Sequence, residues 1–471
     1  ECDGTCEIAI AAVLGKQTVY PINTGNNQVA SEKKYPIDFS HFNINGRVFG
    51  ATGVNPNYEE ANIYKVNLER EYGKFNPVRM TMPIILPALI KLNWEDYFGG
   101  AAMAGVTCVI GEEARDKDPD LKIENGKIVE FAALKSMLDS FRKYYRGYGQ
   151  IVLQCNVEDD MLGLPEYAVR EHNVEAIEFK FGQSAKGTQP ARRLKNSEEA
   201  LEKQKQGALV FPDPMDSEII KKAEEGTCPN FYSYARLPLW DEEYLIGRIE
   251  KLREMGLKNI YFKMAGYDIK DLERVILIGS KAEVDMITFD GAGGGSGYSP
   301  CKMMNEWGLP GVILENAICK IVDKLRAEGN YIPAITITGG FASEDQVFKA
   351  LAFGNGMVTS IGICRASMTA AMTGKNIGER VKTGDIPKNM KKFGHTIDEI
   401  YGDLADLRDI YGKKADEFSL GAVGVFSYLN KIAFGLKHFA ALNRKFDISY
   451  LDRSDLIALT YEARDLIKGE W

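Results

Sequence analysis

Histidine is nearly missing from this chain of 471 residues: only His41, His172, His395 and His438 occur, and no two of them lie close together in sequence. That argues against a zinc centre, which draws on imidazole or thiolate groups at short, regular spacings. Cysteine occurs eight times but never as a CxxC pair, and only Cys2 and Cys6 are close neighbours. Scattered thiols point to reduced cysteines and a cytoplasmic location rather than a disulfide framework. An excess of positive charge is lacking too. With 66 acidic against 58 basic residues the net charge is −8, so a nucleic-acid surface is not expected. No apolar run reaches the roughly 18 residues of a membrane span. The stretch Glu7–Leu14 is short and has no basic flank, which makes it a poor signal peptide.

What is present is the composition of an ordinary globular protein, 45% hydrophobic and 26% charged. From about residue 80 to 365, short β-rich runs alternate with longer amphipathic stretches. The spacing predicts strands at Val78–Pro87, Val106–Gly111, Ile151–Asn156, Ala176–Gly182, Asn259–Gly266, Val284–Gly291, Pro333–Gly340 and Met357–Cys364. Helical patterns fall between them, for example Phe131–Tyr145, Asp241–Met255, Asp268–Ser280, Gly311–Glu328 and Glu344–Phe353. Strand–helix alternation implies a parallel sheet, and a count of eight fits a closed α/β barrel of the (β/α)8 TIM type; an open doubly wound sheet is the alternative. On this reading residues 78–379 are the barrel. Residues 1–77 form a turn-rich N-terminal extension packed on its outside, and 183–238 are a polar insertion at the active-site mouth. Residues 380–471 form a helical C-terminal extension, with helices at Ile397–Tyr411, Val423–Asn443 and Ser454–Lys468 and a surface for an oligomer or partner; a homo-oligomer is expected.

The densest functional signal is Met286-Ile-Thr-Phe-Asp290-Gly-Ala-Gly-Gly-Gly295, an apolar strand running into glycines behind one carboxylate. Glycines at Gly293, Gly294 and Gly295 let backbone approach a flat or anionic group; the alternative is a tight turn with Asp290 capping the next helix. A second glycine-ended strand closes at Gly339-Gly340, and the last at Gly362 with Arg365 nearby. Loops after strands seven and eight are where such barrels grip phosphate, though the glycines also suit plain sharp turns. Lys180 and Lys263 lie inside apolar strand patterns, where burial is costly unless an anion meets the ammonium; snorkelling outward is the other reading. After strand four, Gly182-Gln183-Ser-Ala-Lys186 suits a polar, anionic substrate or a solvated loop. Glu112 and Glu113 end strand two, where a carboxylate acts as general acid or base once burial lifts its pKa, or forms an acidic first helical turn.

In their order these motifs resemble the FMN-binding domain of glutamate synthase and its stand-alone, glutamate-synthase-like relatives. The strand-four segment I-K-x-x-Q-G-A-K-P-G is similar to Phe179-Lys-Phe-Gly-Gln183-Ser-Ala-Lys186-Gly187. V-S-V-K is similar to Ile260-Tyr-Phe-Lys263, and D-G-x-D-G-G-T-G-A-S-P to Asp290 through Pro300. The closing A-L-G-V-x-S-x-x-x-L-x-R-x-D-L resembles Ala440–Leu456. The resemblance spans roughly 80–460 and implies a (β/α)8 flavoprotein that passes a hydride between FMN and a small amino- or oxo-acid substrate of the 2-oxoglutarate/glutamate type. It assigns Lys263, Lys186, Gln183, Glu112, Glu113 and Asp290 to the substrate and reacting centre. It places Pro87, Ala88, Lys180, Lys263, Asp290, Gly293, Gly294, Gly295, Gly339, Gly340, Gly362 and Arg365 around the flavin.

Departures from the family are equally visible. The three iron–sulfur cysteines that follow strand eight in full glutamate synthases have no counterpart in Arg365–Lys375, so electrons must pass to or from a separate partner or second substrate. The family's strand-one G-A-M-S-F-G-A-L-S is replaced by Ile84–Leu92, and its second aspartate by Gly293. Hydroxy-acid oxidase chemistry is disfavoured, because the histidine and arginine expected after strand seven are replaced by Gly339-Gly340-Phe341. Two rivals use the same barrel: a redox-neutral FMN isomerase, and a non-catalytic subunit of a larger complex.

Overall fold

Branched apolar residues fill the predicted strand positions, and in the computed structural model, which describes residues 7–15, 35–90, 93–112, 114–181, 192–234, 236–292 and 306–469, they build one closed sheet. Eight parallel strands follow in order: β1 (Ile84–Leu89), β2 (Thr107–Ile110), β3 (Ile151–Cys155), β4 (Ala176–Lys180), β5 (Asn259–Ala265), β6 (Met286–Asp290), β7 (Ala334–Thr338) and β8 (Ser360–Gly362). Ile361 of β8 pairs with Ile84 of β1 and closes the ring. The fold is therefore the α/β TIM barrel expected from the alternation, not an open sheet.

A helix returns the chain after each strand, as parallel pairing demands. These are Trp94–Ala104, Ala132–Arg142, Leu164–His172, Glu242–Glu254, Ile269–Lys281, Gly311–Ala327, Glu344–Phe353 and Arg365–Lys382. Ile269–Lys281 shows why such segments are helical. Asp268 accepts a hydrogen bond from Lys270 N, and Leu272, Val275, Ile276 and Gly279 repeat at three- and four-residue steps on the buried face. Alternation along the strands splits the apolar residues between two compartments. Ile84, Leu86, Ile110 and Leu153 pack under the helices, whereas Ile85, Val109, Val152, Tyr261 and Met286 fill the barrel's lumen. Each large apolar side chain buried in this way contributes about 1.5–3 kcal/mol.

The first predicted strand is in fact two. Val78–Met80 pairs antiparallel with Arg70–Tyr72, and the barrel strand begins only at Ile84 after Pro83, which has no N–H to donate. The hairpin puts the N-terminal extension inside the barrel as well as outside it. Tyr72 Oη lies 2.6 Å from Thr107 Oγ1 and 3.1 Å from Tyr261 Oη. Tyr261 donates to Gln150, Gln150 Nε2 to Asn259 Oδ1, and Asn259 Nδ2 to Asn76 O, so a chain of hydrogen bonds crosses the amino-terminal floor.

The polar insertion holds a three-stranded antiparallel sheet, with Phe231–Tyr234 between Arg192–Leu194 and Leu209–Phe211, and helices Ser197–Lys205 and Ser217–Glu224. The C-terminal extension differs from an all-helical reading. Leu420–Leu442 is a long helix, but 397–411 breaks at Gly402 into Ile397–Ile400 and Leu404–Tyr411. Of 454–468, only Tyr461–Lys468 is α-helical, because Leu456–Ala458 pairs as a strand with Phe42–Ile44. Among the described residues, no helix is long and apolar enough to cross a membrane.

Candidate functional site

The upper third of the lumen, at the carboxyl ends of the strands, is polar. Counting by twos from the lumen residues Val152, Ala176, Tyr261 and Met286 puts Gln154, Glu178, Lys180, Lys263, Thr288 and Asp290 on the same inward face. All six are buried, Lys180 to 1% and Lys263 to 2% residual exposure. A buried ammonium needs an anion, and each lysine has one. Lys263 Nζ lies 3.4 Å from Asp290 Oδ2 across the β5–β6 pair, and Thr338 of β7 donates its hydroxyl to Asp290 Oδ1. Lys180 pairs with Glu112, at the end of β2.

Register explains the gathering. Lys180 stands opposite Lys263 and Lys263 opposite Thr288, while one inward position further along, Asp290 stands opposite Thr338 and Thr338 opposite Gly362, so two adjoining rows of the barrel meet where Lys263 reaches Asp290. Glu178 lies one inward position below Lys180 and accepts a hydrogen bond of 2.5 Å from Gln154 Nε2. Burial, aided by the charge of Asp290, pushes its carboxyl up to about 7, against the pull of Lys263, the Gln154 hydrogen bond and Lys180. For Lys263, burial opposes the charge, but Asp290 and Glu178 outweigh it and hold the ammonium above its usual value.

The strand ends beside this layer carry the expected glycines. Gly339 and Gly340 adopt φ +116° and +87°, conformations that favour glycine, and a Cβ on Gly340 would meet nothing within 4 Å. No backbone hydrogen bond among the described residues takes up the N–H of Gly339, Gly340 or Phe341. Exposed Arg365 begins the helix Arg365–Lys382, whose amino terminus follows β8. Unclaimed amides, open space above Gly340 and a helix amino terminus are the features a phosphate requires. Gly362 answers a different need: a Cβ there would come 2.4 Å from Thr338 Cγ2 and 3.3 Å from Pro87 Cγ. Pro87 is buried and Ala88 half-buried, where the β1–β2 register slips between Leu86 and Leu89 because proline cannot donate to the ladder.

The structure thus gathers Lys263, Asp290, Lys180, Glu112, Pro87, Ala88 and Gly362 at one end of the barrel, with Gly339 and Gly340 on the turn after β7 and Arg365 at the start of the helix after β8. Glu113, Gln183, Lys186, Gly293, Gly294 and Gly295 lie outside the described residues. Glu178, Gln154, Thr288 and Thr338 were not among the expected site residues. The signal for Glu178 was in the sequence, since an inward Lys180 makes its neighbour two positions back inward too. Among the described residues, Thr288 Oγ1 and Gln154 Oε1 are buried without a hydrogen-bond partner, so the layer has polar capacity to spare. Outside β4, Trp240 packs edge-on against Phe179 and Phe181, at 5.6 Å each. It walls a cavity of about 810 Å³ shared with Leu209, Phe211 and Tyr234 of the insertion.

Residues 225–374, which contain β5 to β8, match the family model described as the conserved region in glutamate synthase. The glutamate synthase large subunit-like protein YerD of Bacillus subtilis (strain 168) is 28% identical over 172 residues, covering 34% of this chain and 31% of that protein. The chain therefore matches less than a third of that curated relative's length. Among solved structures, the flavin-binding domain of baker's yeast flavocytochrome b2 superposes with a TM-score of 0.49 at 11% identity, covering 97% of this chain and 86% of that one. A protein of Pediococcus acidilactici described as a lactate oxidase gives 0.47 at 14% identity, covering 90% and 85%.

Proposed function

We propose that this chain, glutamate-synthase-like through residues 225–374, is an FMN-dependent oxidoreductase acting on a small amino- or oxo-acid anion. The observation that carries the reading is Lys263: a buried ammonium, kept charged by Asp290, directly under the mouth that the glycine-ended strands surround. One layer lower, around Val109, Val152 and Met286, the lumen holds no charged side chain among the described residues.

Bound FMN would supply two-electron chemistry at its isoalloxazine ring. The amides of Gly339 and Gly340 and the amino terminus of Arg365–Lys382 suit its phosphate, and Pro87, Ala88 and Gly362 leave a low wall for the ring. Lys263 supplies positive charge where a substrate carboxylate or an electron-rich part of the ring would sit. Asp290, itself held by Thr338, fixes the direction of that ammonium, and Glu112 does the same for Lys180. A substrate of the 2-oxoglutarate/glutamate type brings the carboxylates these lysines suit. Gln183, Lys186 and Glu113 belong to the same reading as residues of the mouth, with Gly293, Gly294 and Gly295 as backbone cover for the ring. Electrons then reach or leave the site through a second substrate or a partner protein.

The test is to extract and identify by mass whatever copurifies with the protein, then to screen amino and 2-oxo acids anaerobically for bleaching or reoxidation of the flavin absorbance. Protein that purifies colourless and takes up no added FMN would overturn the proposal.

A further inference from the structure

The polar layer contains four buried ionisable groups, Lys180, Lys263, Glu178 and Asp290, with half-buried Glu112 at its rim, and their arithmetic is uneven. Lys180 with Glu112 and Lys263 with Asp290 form two neutral pairs. Glu178 is the fifth group. The groups that face it are Gln154 from β3, Lys180 on its own strand, Tyr261 and Lys263 from β5, and Asp290 from β6. With Glu178 ionised, these five groups among the described residues sum to one net negative charge. A carboxylate entering against Lys263 would make that two, in surroundings where like charges repel strongly.

We propose that Glu178 takes up one proton from solvent when a carboxylate-bearing ligand enters the mouth, so that anion and proton bind together. The inference rests on the mouth being an anion site, as the proposed function has it. The chemistry is a single protonation: a proton leaves bulk water or buffer and bonds to a Glu178 carboxylate oxygen, with no change of oxidation state. Two features of the structure carry it. The first is the position of Glu178 beneath Lys263, whose charge is the main attraction keeping it ionised; a ligand anion that engages Lys263 weakens that attraction, and the proton follows. The second is Gln154. Its Nε2 already donates to Glu178, while its Oε1 is buried with no hydrogen-bond partner among the described residues. A protonated Glu178 provides a hydroxyl donor beside that oxygen, which ionised Glu178 cannot. The balance of burial against Lys263 and Lys180 leaves Glu178 changing charge at about 7, where a small added field decides its state. Glu178 acts here as a positioning and charge-compensating residue.

The first measurement is difference infrared spectroscopy of flavin-free protein, titrated from about pH 5 to 9. A protonated-carboxyl stretch should disappear with rising pH in the wild type and be missing in Glu178→Gln, an isosteric change that preserves the fold. Acetate, the simplest carboxylate, should shift that midpoint upward in the wild type and leave it unmoved in Lys263→Met. The second measurement is acetate affinity by calorimetry. The apparent Kd should rise about tenfold for each pH unit above the midpoint in the wild type, and be flat over the same range in Glu178→Gln. An infrared midpoint that acetate does not move, or a Glu178→Gln protein that keeps the pH dependence, overturns the proposal. Neither measurement needs flavin or turnover, so failure of the redox reading would show separately, as protein that binds no FMN but still couples acetate to a proton.

Discussion

Replacing Lys263 by methionine removes an ammonium 3.4 Å from Asp290 Oδ2 and keeps most of the side chain's length. Both side chains are nearly enclosed, at 3% and 4% exposure, so the carboxylate left behind is poorly placed to recruit bulk water and, among the described residues, keeps the Thr338 hydroxyl as its hydrogen-bond donor. With an effective dielectric near 20, the direct attraction at this separation is about 5 kcal/mol. Desolvation of two charges offsets much of it, yet removing one partner alone typically costs about 3–5 kcal/mol, because the other charge stays buried. Lys263→Met should therefore lower unfolding free energy by that amount, while the double variant Lys263→Met/Asp290→Asn should lose distinctly less than Lys263→Met alone. The assay is urea denaturation followed by circular dichroism, with an unchanged m-value as the check that two-state behaviour survives. If Lys263→Met costs under about 1 kcal/mol, or if the single losses simply add, the pair is not the anchor of this layer and the charged reading of Lys263 falls.

Two further outcomes follow from the same interior. Gly362→Ala would force a methyl to 2.4 Å from Thr338 Cγ2, so a loss of about 1–3 kcal/mol and a lower Tm are expected; an unchanged Tm would contradict the close packing of β7, β8 and β1. Glu315, on the helix Gly311–Ala327, is fully buried with neither oxygen hydrogen-bonded among the described residues, and burial pushes its carboxyl well above the usual 4.5 despite nearby Arg453. Its folded form favours the proton, so its stabilising share is complete below that usual value and is lost as pH rises. Glu315→Gln should raise Tm more at about pH 8 than at about pH 4, and an equal change at both would refute the assignment.

The barrel was legible because each strand states itself locally. Met286–Asp290 is a short branched run that ends at a glycine, and Ile269–Lys281 announces its helix by a capping aspartate and a four-residue stripe. Elements that depend on remote partners were not legible. Leu456–Ala458 looks like part of a helix until Phe42–Ile44, about 400 residues earlier, supplies its ladder, and Val78–Met80 looks continuous with β1 until Arg70–Tyr72 claims it. The site divides in the same way. Lys180 and Lys263 stand out because a charge interrupts an apolar run. Glu178 follows from Lys180 by the two-residue alternation of one strand, but Gln154 matters only through cross-strand register and Thr338 only through Asp290, relations that one-dimensional patterns do not contain.

The tyrosine-and-amide floor makes the barrel a blind vessel. With Tyr72 and Tyr261 sealing one end, whatever reaches the buried lysines must arrive and depart by the same door. If the proposed flavin sits in this mouth, two reactants that need the same face of its ring would not fit there together. They would alternate, each leaving before the next is admitted, and double-reciprocal plots taken at several fixed levels of the second reactant should then run parallel instead of crossing.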